Sequence, residues 1–168
     1  MTQIRQLILM RHGQASNGAP SDRERELTAI GKTQVTEVAQ QLVALKDWRP
    51  QVALVSDALR TQQTWQMVQP KFDLEMRVSP ELYLGGHQSL MVALSAVDNA
   101  VGTALVIGHN PGLSEIASQL TGEMVGLSPS HAALVRVQSE DWLDSLSALG
   151  QWDLVSLLQP SFSLLQPS

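Results

Sequence analysis

Apolar residues fall along the chain in short dense runs, separated by stretches in which they recur every three or four positions. Ile4 to Met10 is the first dense run; with Gly13 after it, it reads as a buried strand ending in a tight turn. Asn17 to Glu26 is polar, contains Gly18 and Pro20, and reads as a loop. Thr28 suits the N-cap of a helix running to about Lys46, because Val35, Val38, Ala39, Leu42 and Leu45 share one face. Gln51–Val55 reads as a second strand, and Ala58 to Val68 as a helix closed by Pro70. Leu74–Val78 is a third strand, and His87 to Val97 a helix opened by Gly85 and Gly86. Thr103–Ile107 is a strongly apolar strand, with Gly108 and a helix from Gly112 to Leu120 behind it. Ala132–Val137 and Asp153–Leu158 are two late strands.

Strands that alternate with helices specify an α/β fold: a three-layer α/β/α sandwich with a mostly parallel central sheet. No composition break divides residues 1–168, and that length suits one domain. Ser156-Leu-Leu-Gln-Pro-Ser161 recurs as Ser163-Leu-Leu-Gln-Pro-Ser168, which reads as a short duplication, with residues from about 159 onward forming a loose tail.

Composition narrows the picture. The formal net charge of −5 argues against a general nucleic-acid binder. The chain has no cysteine, which removes disulfides, thiolate metal sites and a cysteine nucleophile, and suits a cytoplasmic location. The run Leu7–Met10 stops at Arg11, too short for a secretory signal core, and no stretch approaches the roughly 20 apolar residues of a membrane span. The four histidines lack ligand spacing, so no metal or other cofactor is expected; His87 and His131 read as surface or capping residues.

Ligands of open α/β sheets bind beyond the carboxyl ends of the strands. Arg11, His12 and Gly13 follow the first strand; Ser56, Asp57 and Arg60 follow the second; His109 follows the central one; Glu81 follows the third. Two guanidinium forks suit the non-bridging oxygens of a phosphoryl group. A neutral imidazole is a nucleophile toward phosphorus, a second can stabilise the transferring group, and a carboxylic acid can protonate a leaving oxygen.

Leu9-Met10-Arg11-His12-Gly13 resembles the Arg-His-Gly signature of the histidine phosphatase superfamily, which includes phosphoglycerate mutases and acid phosphatases. Arg25-Glu26-Leu27-Thr28 with Gly31, Ser56-x-x-Leu59-Arg60-x-x-Gln63-Thr64 and Val106-Ile107-Gly108-His109-Asn110-Pro111 are similar to three further blocks of that family, in the same order. Pro80-Glu81-Leu82 stands where the family places its acidic residue. The resemblance implies a phosphoglycerate mutase-like fold and a metal-independent phosphatase working through a phospho-His12 intermediate. It implies that Arg11 and Arg60 hold the phosphate, that His109 stabilises the transferring group, and that Glu81 is the acid. Gly13 and Arg25 are candidate substrate contacts, Arg25 equally a loop anchor.

The short chain most resembles SixA-type phosphohistidine phosphatases. The implied substrate is then a phosphorylated protein of the histidine phosphotransfer domain type, or a small organic phosphate. The alternatives are a mutase-like phosphotransferase and a phosphate-binding module without turnover. Two departures stand out: Asp57 and Thr61 replace the family's Pro and Ala, with Asp57 a candidate helix N-cap, and Gly18 replaces the asparagine of mutases.

Overall fold

A computed structural model describes residues 1–161. Six strands form one sheet: β1 (Gln3–Arg11), β2 (Val52–Val55), β3 (Glu75–Val78), β4 (Thr103–Gly108), β5 (Ala132–Ser139) and β6 (Asp153–Leu158). Their order across the sheet is β3-β2-β4-β1-β5-β6. Pairing is parallel from β3 through β1, then antiparallel at β1–β5 and β5–β6. Only β5 therefore runs against the rest.

The two-residue period of the strands sends alternate side chains to opposite faces. Ile8, Met10, Val55 and Ile107 pack beneath α1 (Ala29–Val43) and α2 (Leu59–Val68), through Val35, Val38, Leu42, Trp65 and Val68. Leu7, Leu9, Leu54 and Val106 pack on the other face against α3 (His87–Ser95), α4 (Gly112–Thr121) and α5 (Trp142–Ser147). Helices on both faces explain why Leu7–Met10 of β1, all of β2 and Ala104–Ile107 of β4 are unbroken apolar runs.

Thr28 caps α1 as its sequence predicts, its hydroxyl accepting from the Gly31 amide at 2.9 Å. Some boundaries differ from expectation. α1 ends at Val43, not Lys46; a 3-10 turn over Lys46–Trp48 follows, and Leu45 is exposed rather than on the buried face. Asp57 does not cap α2. The N-cap is Ala58, which makes no side-chain cap bond, while Asp57 faces Arg23 at 3.5 Å. α3 stops at Ser95, short of Val97. The short α5 gave no periodic signal because six residues make fewer than two turns; the Asp141 carboxylate caps it at Asp144 N. The first copy of the duplicated hexapeptide closes β6, and the Gln159 carbonyl and Ser161 amide bond to Gln41 and Glu37 of α1. The second copy lies outside the described residues.

Register is what builds the site. Arg11 lies opposite Gly108, and Val55 opposite Ile107, so β1, β2 and β4 end level with one another. The ladder continues one residue further, through His12 N to Gly108 O and Ser56 N to Ile107 O, each at 3.1 Å. Two glycines let α1 close over this edge: a Cβ on Gly13 would come within 2.7 Å of Val35, and one on Gly31 would collide with the Gln14 carbonyl.

Candidate active site

His12 leaves the end of β1 almost fully buried, 7% exposed. Its Nδ1 lies 2.7 Å from the Gly13 carbonyl. A carbonyl only accepts, so Nδ1 carries the proton and Nε2 keeps its lone pair. Arg60 Nε donates to that Nε2 at 3.3 Å. Burial is the main force lowering the His12 pKa, to about 4; the Gly13 bond opposes it, and Arg60, Arg11 and Arg25 add to it. His12 is therefore neutral at pH 7, with one defined tautomer and its Nε2 lone pair accepting from the Arg60 guanidinium.

His109 leaves the end of β4 beside it, the two ring centroids 5.2 Å apart. Arg60 Nη2 lies 3.2 Å from His109 Nδ1, and Ser56 Oγ 2.7 Å from His109 Nε2. Since guanidinium only donates, Nδ1 accepts, and Nε2–H donates to Ser56. Burial, then His12 and Arg60, push the His109 pKa down to about 3.

Arg60 sits on the first turn of α2, which aims it across both imidazoles. Arg11 donates through Nη1 to the Leu127 carbonyl at 3.0 Å, and its buried Nε has no partner among the described residues. Burial, then Arg60 and Arg25, lower the Arg11 pKa. Arg25 anchors its loop by donating to Ser16 O at 2.9 Å, and also reaches Asp22 at 3.1 Å. Gly13 holds the site together through both backbone groups: its carbonyl orients His12, and its N–H donates to Thr64 Oγ1 at 3.1 Å. The Gly13 amide is thus already engaged within the fold.

Glu81 lies half-buried on a 3-10 turn over Pro80–Leu82, and its carboxyl has no hydrogen bond or ion pair among the described residues. His87 bonds the Leu146 carbonyl at 2.6 Å, a capping contact away from the site. His131 adjoins Arg11, with its main-chain carbonyl accepting from Arg11 N at 3.0 Å; burial, then Arg11, lower its pKa.

Two residues that sequence reasoning passed over stand in the site. Asp22, in the loop between β1 and α1, accepts from Arg60 Nη2 and Arg25 Nη1, each at 3.1 Å, and from the Tyr83 hydroxyl. Those bonds hold its carboxyl well below the usual carboxylate range, Tyr83 contributing most, then Arg25. Tyr83 stands edge-on to His109 with centroids 5.2 Å apart, and the Arg23 guanidinium lies 4.1 Å above its ring. Tyr83 is the chain's only tyrosine and follows Glu81 by two residues, a signal that could have flagged it. A small cavity of about 90 Å³ opens beside Tyr83 and His109, walled by Gly85, Gly86, Asn110 and Pro111. Three guanidinium groups less one carboxylate leave the site with two net positive charges, which matches a phosphoryl dianion.

The model of the histidine phosphatase superfamily (branch 1) matches residues 7–83. An uncharacterised chloroplastic protein of Arabidopsis thaliana is 33% identical over 177 residues, covering 95% of this chain and 80% of the relative. A phosphohistidine phosphatase SixA homologue of Haemophilus influenzae is 32% identical over 127 residues, covering 70% of this chain and 77% of the relative. A structure assigned to phosphohistidine phosphatase SixA from Nakamurella multipartitia superimposes with a TM-score of 0.83 at 26% identity, covering 95% of this chain and 98% of that one. Sequence and fold thus agree that the chain belongs to the histidine phosphatase superfamily and is a phosphatase, hence a hydrolase.

Proposed function

We propose that this phosphatase removes phosphate from phosphohistidine on a protein, of the histidine phosphotransfer domain type, by double displacement through phospho-His12. The observation that carries the reading is the state of His12: neutral, its Nδ1 proton fixed on the Gly13 carbonyl and its Nε2 lone pair at Arg60. In the first step Nε2 attacks phosphorus and the P–N bond of the substrate breaks; the substrate ring, protonated on its other nitrogen, takes the bonding pair and departs as neutral imidazole. The positive charge that develops on the His12 ring is met by the Nδ1–H bond to Gly13. Arg11, Arg25 and Arg60 take the non-bridging oxygens. The arriving dianion favours a proton on His109 Nδ1, which then donates to the transferring group. In the second step water attacks the phospho-His12 phosphorus, releasing inorganic phosphate and the free imidazole.

A protein substrate is supported by the relatives named for phosphohistidine. No helix among the described residues is long and apolar enough to cross a membrane, and a cytoplasmic site of action suits the cysteine-free chain. A second reading, hydrolysis of a small phosphomonoester, is favoured by the unengaged Glu81, which could protonate an alkoxide.

Labelled substrate quenched in base should leave an acid-labile phosphoenzyme in the wild type and none in His12→Ala, whose turnover should vanish. Turnover by His12→Ala at a comparable rate refutes the mechanism.

A further inference from the structure

We infer that the Asp22 carboxylate is a built-in anion that occupies the donors of the phosphoryl subsite and must be displaced when substrate enters. The inference rests on the site reading above and adds a residue that sets its affinity for anions.

Asp22 engages the same kind of donors that a phosphoryl oxygen would use: Arg60 Nη2 and Arg25 Nη1, each at 3.1 Å, and the Tyr83 hydroxyl. Arg60 Nη1 also donates to the Asp22 carbonyl at 2.7 Å, so with its bonds to His12 and His109 four of this arginine's five N–H groups are engaged in the resting site. A guanidinium N–H directed at a carboxylate cannot serve a second oxyanion at full strength, and two anions on one fork repel each other.

Asp22 is also built to leave. Arg60 is 5% exposed, but the Asp22 side chain is 50% exposed, so its carboxylate can return to water while the arginine stays. It lies on a 3-10 turn, Asp22–Glu24, that has no buried residue. That turn is the tip of a strap whose base is fixed by the Ala15–Leu27 bridge, by Ser16 N to Glu26 O at 2.8 Å and by Leu27 N to Gln63 Oε1 at 2.7 Å. The tip itself is fastened over the site by Asp22, by the stacking of Arg23 on Tyr83 and by the Arg23–Asp57 pair at 3.5 Å. Withdrawing the Asp22 carboxylate loosens the tip, which Arg23 then holds through Tyr83 and Asp57, and leaves the base intact. The competition lowers affinity for free phosphate and so assists product release, while a substrate with further contacts can displace the carboxylate.

The test uses the full chain and tungstate, a tetrahedral oxyanion, as the probe, titrated by calorimetry into wild type, Asp22→Asn and Arg60→Ala. Asp22→Asn keeps the shape and removes the charge. Its Kd for tungstate should fall at least tenfold, whereas a carboxylate that merely held the arginines in place would give unchanged or weaker binding. Hydrogen exchange in the wild type gives a second readout without any substitution: saturation with tungstate should speed exchange at the strap tip, where the Glu24 and Arg25 amides bond to Ser21 and Asp22, and leave the Ser16 and Leu27 amides protected. An Asp22→Asn Kd that is weaker, unchanged or less than tenfold tighter, or exchange that is unchanged or slower, overturns the inference. Tungstate binding that is lost in Arg60→Ala but not strengthened in Asp22→Asn defeats the inference alone. Absent binding in the wild type, or binding indifferent to Arg60→Ala, defeats the site reading together with it.

Discussion

Replacing Arg60 by lysine separates charge from geometry at the centre of the site. Arg60 donates to four acceptors: His12 Nε2 at 3.3 Å, His109 Nδ1 at 3.2 Å, the Asp22 carbonyl at 2.7 Å and the Asp22 carboxylate at 3.1 Å. A lysine ammonium keeps the positive charge but is a point, and it cannot span both imidazoles and the transferring oxygens. Two charge-assisted bonds to the transition state are then lost, each worth about 1.5–3 kcal/mol. Their sum, about 3–6 kcal/mol, corresponds to about 10²–10⁴ in rate. Arg60→Ala removes the charge as well and should cost roughly 10³–10⁵, the range found when an arginine is taken from a transferring phosphoryl group. The assay is kcat/KM on a phosphohistidine protein, corrected for the folded fraction from thermal melting, with phosphoenzyme formation followed after base quench. Arg60→Lys that retains activity within tenfold of the wild type, in folded protein, would show that the fork does not hold the transferring group.

Glu81→Gln should slow hydrolysis of alkyl phosphates by about 10²–10⁴ and slow phosphohistidine hydrolysis far less, because imidazole is the weaker base on departure; equal losses in kcat/KM on both substrates would remove Glu81 from the acid role. His12 should stay neutral until the pH approaches about 4, and His109 until about 3, as read by imidazole ¹⁵N shifts. Between those values and the ordinary histidine value of about 6.5 the unfolded chain binds protons that the folded chain refuses, so stability is flat above about pH 6.5 and falls as the pH drops below it; urea midpoints at pH 7 and 5 check the sign. Gly31→Ala should destabilise by about 1–3 kcal/mol in the same urea assay, since its Cβ meets the Gln14 backbone and not a movable side chain.

Much of the fold was legible in the sequence because it is written in local patterns. The dense apolar runs of β1, β2 and β4 and the one-sided face of α1 report burial directly, and the Arg11-His12-Gly13 and Gly108-His109 segments mark strand ends. Short-range competition at element ends was not legible: α1 stops at Val43, α2 begins without help from Asp57, and the six residues of α5 are too few to show a period.

By itself, then, the sequence determined the α/β class, the strands that carry chemistry and the family, because hydrophobic period and motif spacing are properties of the chain alone. Only the tertiary structure decided what those residues meet. The level ending of β1, β2 and β4 comes from inter-strand register, and it brings His12, Ser56 and His109, from distant parts of the chain, to one edge. The tautomers of both histidines depend on the Gly13 carbonyl, Ser56 and Arg60 meeting there. Asp22 looked like one more polar loop residue; it enters the site because the strap folds over and offers a carboxylate to two arginines and a tyrosine, and such through-space pairing leaves no periodic trace along a chain.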